Sequence, residues 1–190
     1  MSELLLDEKI IRLSAALHEL EIPHAFGGAL ALAYYAVPRG TQDIDLNLFV
    51  SVTGAKQVLG ELKQLGVDAA SARQQKQLSE QGQVRLRWGH TPLDLFFAYD
   101  PLHQSCYERR RRVPFGEGVQ LEILSAEDLV VFKVLFDRPK DWTDLDEVLY
   151  AQGPAFDAAY ALDWLRRILE AEDSRLLRFV AALEKEPSGP

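Results

Sequence analysis

Two aspartates stand one residue apart in "DIDLNLFV", residues 43–50. Asp43, Asp45 and Asn47 alternate with Ile44, Leu46, Leu48 and Val50, the period of a strand. Residues i and i+2 of a strand share a face, so both carboxylates project the same way. Side by side they repel, and burying either uncompensated is costly. A hard cation between them removes both penalties, and oxygen donors suit Mg²⁺ or Mn²⁺. The alternative is an exposed strand end whose carboxylates bond loop amides. A second D-x-D, Asp144 and Asp146, falls in a helical stretch. On a helix i and i+2 diverge, so that pair is expected on a solvated face.

A third acid lies in "PLDLFFA", residues 92–98. Leu93, Leu95 and Phe97 share one face and Asp94 points opposite. If this strand neighbours 43–50, Asp94 joins Asp43 and Asp45; otherwise it makes a structural hydrogen bond near a strand end. Three carboxylates can hold two metals roughly 3.5–4 Å apart, which suits in-line phosphoryl transfer. Gly27 and Gly28 stand between a short strand and a helix. They are either a plain tight turn or a place where a phosphate approaches the backbone at a helix start. On the second reading the turn holds a nucleotide's phosphates and the aspartates hold the metals that bridge them.

These residues need elements to position them. Leu6, Ile10, Leu13, Leu17 and Leu20 predict a helix over 4–20. Strands are expected at 22–26, 43–50, 83–89, 92–98 and 119–124, the third and fourth joined by a tight turn. Helices are expected at 28–37, ended by Pro38, and at 53–65, stopped by Gly66. From Ser125, where "SAED" resembles a capping box, the texture is helical: 126–137, 140–151, 157–171 and 173–185. The tail "EKEPSGP" reads as frayed. The fold class expected is α+β: a small mixed β-sheet flanked by helices, residues 1–124, then a C-terminal helical segment, 125–190, packed on that core.

Composition narrows the classes. The 190 residues are 47% hydrophobic and 26% charged, which is a globular balance. A net charge of −8 disfavours nonspecific binding to nucleic acid. Cys106 is the sole cysteine, so no intrachain disulfide forms, and a cytoplasmic location is expected. The N-terminal stretch lacks a signal-peptide pattern, and no apolar run reaches membrane-spanning length.

The stretch "GGALA…RGTQDIDL" resembles the signature of the DNA polymerase β-like nucleotidyltransferase superfamily. There a Gly-Gly or Gly-Ser helix start precedes an acidic pair, and a third acid lies on a later strand; Asp94 in "LDL" matches it. "ILSAEDLVVFKVLFDRPKDWTDLDEVL" is similar to a pattern of the minimal nucleotidyltransferases, especially the abortive-infection toxin-like branch. The resemblance covers about residues 20–150. It implies that Lys133, Arg138, Lys140 and Asp141 correspond to polar positions near the nucleotide or the packed helices.

Each remaining candidate has a bland alternative. Arg39 can neutralise phosphate or the aspartates, and Thr41 can orient Asp43 or merely bond the turn. Lys133 is a phosphate or base contact, or a lysine snorkelling from an apolar helix. Lys140 sits in "PKDWTD", which reads as a helix start with N-terminal acids. Arg109, Arg110, Arg111 and Arg112 form the one basic run, either an RNA contact or, as favoured, a solvated helix end. The four histidines show no metal spacing, and Cys106 has no evident base partner.

The reaction expected is transfer of an NMP from an NTP to an acceptor hydroxyl or phosphate, with release of pyrophosphate. Asp43 and Asp45 would bind the metals, and Asp94 would complete one site and help deprotonate the acceptor. The acceptor stays open among RNA, protein and small molecules, including a cationic aminoglycoside. The alternative is a noncatalytic nucleotide-binding or toxin/antitoxin-type interaction module on the same fold.

Overall fold

The structure is a computed structural model in which residues 3–184 are described. The tail from residue 185, read as frayed, lies outside them. Helix α1 (Leu6–Glu19) buries Ile10, Leu13 and Leu17, the stripe its spacing predicts. It also buries Lys9, whose ammonium donates to Trp88 O (2.8 Å), Thr91 Oγ1 (2.9 Å) and Glu3 Oε1 (2.9 Å). Three acceptors match its three donors, which is what burial of a lysine requires.

The following elements are β1 (His24–Phe26), α2 (Gly28–Leu32), β2 (Ile44–Ser51) and α3 (Ala55–Gln64). Then come α4 (Ala72–Gln81), β3 (Gln83–Trp88), β4 (Thr91–Ala98), α5 (Pro101–Arg109), β5 (Arg111–Pro114) and β6 (Gln120–Ile123). The strands form one six-stranded sheet in the order β3-β4-β2-β1-β6-β5. It is mixed: β2 pairs parallel with β4, and β1 with β6, while β1–β2, β3–β4 and β5–β6 are antiparallel. One face carries Ile44, Leu46, Leu48, Leu93, Leu95 and Phe97, each at most 1% exposed. The period-2 alternation in both strands therefore leaves the aspartates on the opposite face.

Four further helices follow among the described residues: α6 (Ala126–Phe136), α7 (Pro139–Gln152), α8 (Ala158–Ile168) and α9 (Ser174–Leu183). Ser125 caps α6: its hydroxyl accepts from Asp128 N (3.1 Å) and donates to Asp128 Oδ2 (2.6 Å). Tyr160 Oη donates to the other oxygen of the fully buried Asp128 (2.5 Å) and so ties α8 to α6. The chain divides into two compact units, Met1–Leu30 with Gly40–Leu124 and Ala31–Arg39 with Ser125–Pro190. No helix among the described residues is long and apolar enough to cross a membrane.

Helix α2 is shorter than the 28–37 expected. Tyr34 N and Tyr35 N donate to the carbonyls of Ala31 and Leu32, three residues back, and these tighter bonds close it ahead of Pro38.

Candidate active site

The glycine turn and the acidic strand meet directly. Phe26 pairs with Leu46 across β1 and β2, and Gly27 N then donates to Asp45 O (2.9 Å). Gly28 has φ +54°, and a Cβ placed on it would lie 1.8 Å from Asp45 Oδ2. The Asp45 carboxylate therefore fills the space that any side chain at 28 would need. At Gly27 a Cβ would meet Asn47 Nδ2 at 2.9 Å. Helix α2 has only five residues, so its dipole is weaker than that of the longer helix expected.

Asp43, Asp45 and Asp94 lie on one face. The parallel register sets Asp45 beside Asp94, and Asp43 is two residues before Asp45. Thr41 Oγ1 accepts from Asp43 N (3.1 Å) and donates to Asp43 O (3.2 Å), which holds that peptide at the entry to β2.

Arg85, which no sequence motif singles out, joins them. The antiparallel register of β3 and β4 sets Arg85 beside Asp94. Its Nε donates to Asp94 Oδ1 (2.7 Å) and its Nη2 to Asp94 Oδ2 (2.5 Å), a two-pronged pair. The same Nη2 lies 3.7 Å from Asp43 Oδ2. The bond to Asp94 holds the guanidinium pKa above its ordinary value against the opposing effect of burial, and the charges of Asp94, Asp43 and Asp45 add to it. Arg85 was legible by counting back from the two-residue turn Gly89–His90, which pairs Trp88 with Thr91 and hence Arg85 with Asp94.

Three hard carboxylate donors on one face, with a glycine cradle against one of them, are the right chemistry for a divalent ion. Both oxygens of Asp94 bond Arg85 on β3. Among the described residues no cluster of three or more His, Cys, Asp or Glu stands close enough together to hold a metal ion.

Arg39, Lys133 and Lys140 belong to the second unit. Arg39 donates to both oxygens of Asp144 (2.8 and 2.9 Å). Lys133 Nζ donates to Asp144 Oδ2 (2.5 Å) and lies 3.7 Å from Asp141 Oδ1. Arg138 grips Asp141 with its Nε (2.6 Å) and Nη2 (3.1 Å). The expectation that Asp144 sits on a solvated helix face is corrected: it is 3% exposed. Burial alone would raise its pKa, but the bonds from Arg39 and Lys133 outweigh that and lower it. Lys133 is itself buried in this pairing, so it neither snorkels nor reaches solvent. Lys140 is exposed in the first turn of α7.

The basic run starts at a helix end but continues into a strand, which corrects the favoured reading for Arg111 and Arg112. Arg109 closes α5, while Arg111 and Arg112 lie exposed on β5 at the sheet edge opposite β3. Arg110, between them, lies over the Tyr107 ring (4.1 Å) and 3.7 Å from Glu122 Oε2. Strands β1 and β6 separate β5 from β2, roughly 14 Å across the sheet.

No protein-family model and no curated protein matches the sequence. Solved structures do match. ANT(2")-Ia in complex with adenylyl-2"-tobramycin is similar over 86% of this chain and 98% of its own, with TM-score 0.59 and 17% identity. The lincosamide antibiotic adenylyltransferase LnuA, lincomycin-bound, is similar over 77% and 98%, with TM-score 0.51 and 10% identity. An antigenic nucleotidyltransferase-like protein from Paracoccidioides brasiliensis is similar over 94% and 86%, with TM-score 0.52 and 18% identity. The chain thus has a nucleotidyltransferase-like fold, a mixed sheet with flanking helices and a helical C-terminal part. These likenesses do not bear on the abortive-infection branch.

Proposed function

We propose that the chain transfers a nucleoside monophosphate from an NTP to a hydroxyl of a small-molecule acceptor and releases pyrophosphate. One observation carries the proposal: the Gly27–Gly28 turn closes directly onto Asp45, whose strand neighbour in register is Asp94. Two antibiotic adenylyltransferases among the fold's likenesses support a small acceptor. So does the placement of the basic run at the far sheet edge, away from the carboxylates.

In the transfer the acceptor oxygen attacks Pα. The bond from Pα to the oxygen shared with Pβ breaks, and its electron pair leaves with pyrophosphate. The hydroxyl proton passes to Asp94, which must first be released by Arg85. The glycine turn lets the Asp45 carboxylate lie against the start of α2, beside which the triphosphate would bind, and Thr41 keeps Asp43 in place. Asp43, Asp45 and Asp94 are the residues that would hold Mg²⁺ or Mn²⁺, which when bound neutralises charge on the triphosphate and its leaving group.

Incubation with each α-labelled NTP, Mg²⁺ or Mn²⁺, and separate panels of aminoglycosides, lincosamides and RNA tests the proposal. A labelled small acceptor with equimolar pyrophosphate is the expected result. Label on RNA alone would overturn the acceptor class. A second reading is a nucleotide-binding module without transfer. Arg85 favours it, because a guanidinium already neutralises the carboxylates. Nucleotide binding with no pyrophosphate from any acceptor would establish that reading instead.

A further inference from the structure

We propose that Arg85 is an internal competitor for the divalent ion: its pair with Asp94 and ligation of a cation by Asp94 exclude one another. This rests on the reading of Asp43, Asp45 and Asp94 as a cation site. The guanidinium takes both oxygens of Asp94 and places a positive charge 3.7 Å from Asp43. A divalent ion ligated by the same carboxylate would lie against that like charge. The exchange needs no backbone movement. Arg85 projects from β3 with its side chain 58% exposed, so it can turn into water by rotation about its own bonds. Asp94, at 16% exposure, is far more enclosed and stays in place.

Gating by Arg85 differs from a general electrostatic effect. If Arg85 only adds positive charge nearby, Asp94 contributes to ion binding whether or not Arg85 is present. If Arg85 blocks Asp94, then Asp94 contributes only once Arg85 is gone. Mn²⁺ titration followed by electron paramagnetic resonance, with no nucleotide, separates the two. The proteins are wild type, Arg85→Gln, Asp94→Asn, the double variant, and Asp43→Asn, each checked for folding by thermal unfolding.

Arg85→Gln should tighten Mn²⁺ binding on the order of tenfold, the scale set by loss of one charge-assisted pair. Asp94→Asn should change affinity less than about twofold alone, yet reverse most of the gain in the Arg85→Gln background. Arg85→Lys keeps the charge without the fork and should fall between; it carries the test if Arg85→Gln does not fold. Equal affinity in wild type and both Arg85 variants, with binding abolished by Asp43→Asn, would overturn the competition and leave the cation site standing. An equal effect of Asp94→Asn in both backgrounds would also overturn it. Absence of saturable Mn²⁺ binding in every protein would overturn the competition and the cation site together.

Discussion

Asp45 Oδ2 stands 1.8 Å from the point a Cβ on Gly28 would occupy, so the glycine turn and the acidic strand cannot vary independently. Gly28→Ala has two penalties. The left-handed backbone at φ +54° disfavours alanine by about 1–2 kcal/mol. The overlap with Asp45 then forces the carboxylate or the turn to move. Gly27→Ala meets the ends of Asn47 and Leu124 at 2.9 and 3.2 Å and Asp45 Cβ only at an ordinary 3.9 Å, with no positive φ. Urea unfolding should show the larger loss for Gly28→Ala, and nucleotide binding should fall with it. Equal losses for the two variants would mean that the Asp45 contact exerts no control.

Asp43→Asn keeps the shape and removes one carboxylate charge. We expect nucleotidyl transfer to fall at least about a hundredfold, the scale of losing one group that stabilises charge at the transferring phosphate, here the divalent ion that Asp43 would hold. Its ionic neighbour Arg85 is 3.7 Å away and its side chain is 38% exposed, so the effect on stability should stay below about 1 kcal/mol. Full activity in a folded variant would refute the role given to Asp43.

The acid face was legible because strand period is 2 and each aspartate stands opposite an unbroken apolar set. The partner of Asp94 was legible too, but only through register, which the short Gly89–His90 turn sets. Helix α4 escaped because its one buried residue is Leu78, leaving no apolar stripe. Its local signals were nonetheless present: Ser71 and Gln74 form a capping box, and Gly82 ends the helix with φ +68°. Strand β5 is four largely exposed residues at a sheet edge, where no inward face imposes alternation. The burial of Asp144 follows partly from spacing, since Asp141, Asp144, Leu145 and Val148 fall on one helical stripe. Its partner Arg39 is 105 residues away, and no local pattern reaches that far.

Breaking the pair of Lys133 and Asp144 should be costly. Lys133→Met leaves Asp144 with Arg39 alone, and Asp144→Leu leaves a buried ammonium 3.7 Å from Asp141. Each single change should lose about 1–3 kcal/mol, less than stranding a wholly unpaired buried charge, because Asp144 keeps Arg39 and Lys133 keeps Asp141. The double change should recover much of that loss. Thermal unfolding of the three variants tests this, and simple additivity would show that the two residues do not act as a pair.

Two acidic limbs are expected in the pH dependence of stability. His24 is 4% exposed, and burial lowers its pKa despite its Nδ1 bond to Ile22 O (2.9 Å). His103 is lowered for the same reason. The unfolded histidines bind protons near pH 6.5 while the folded ones resist, so this stability is complete above that pH and declines below it. The slope is at most about 1.4 kcal/mol per pH unit for each histidine. Asp144 has a lowered folded pKa, so its contribution persists above the ordinary carboxylate range and fades as pH falls below about 4. His24→Leu should flatten the limb between about pH 7 and 5 and leave the lower limb unchanged. An unaltered upper limb would exclude His24 as its source.

Arg111 and Arg112 provide the test of acceptor class. Both are exposed on β5, whereas Arg110 is held by Tyr107 and Glu122, so the first two can be replaced without disturbing that contact. Strands β1 and β6 stand between them and the strand bearing Asp45. A small acceptor bound beside the carboxylates does not span that separation, and Arg111→Gln/Arg112→Gln should change kcat/KM for it less than about twofold. An RNA acceptor could span it, and removing each arginine–phosphate interaction would then lower the log–log salt slope by roughly one unit. Transfer to a small acceptor that is unchanged at both low and high salt is the expected outcome. A large drop in activity confined to low salt, in a variant with wild-type unfolding, would mean that the basic edge holds a polyanionic acceptor and that the small-molecule reading is wrong.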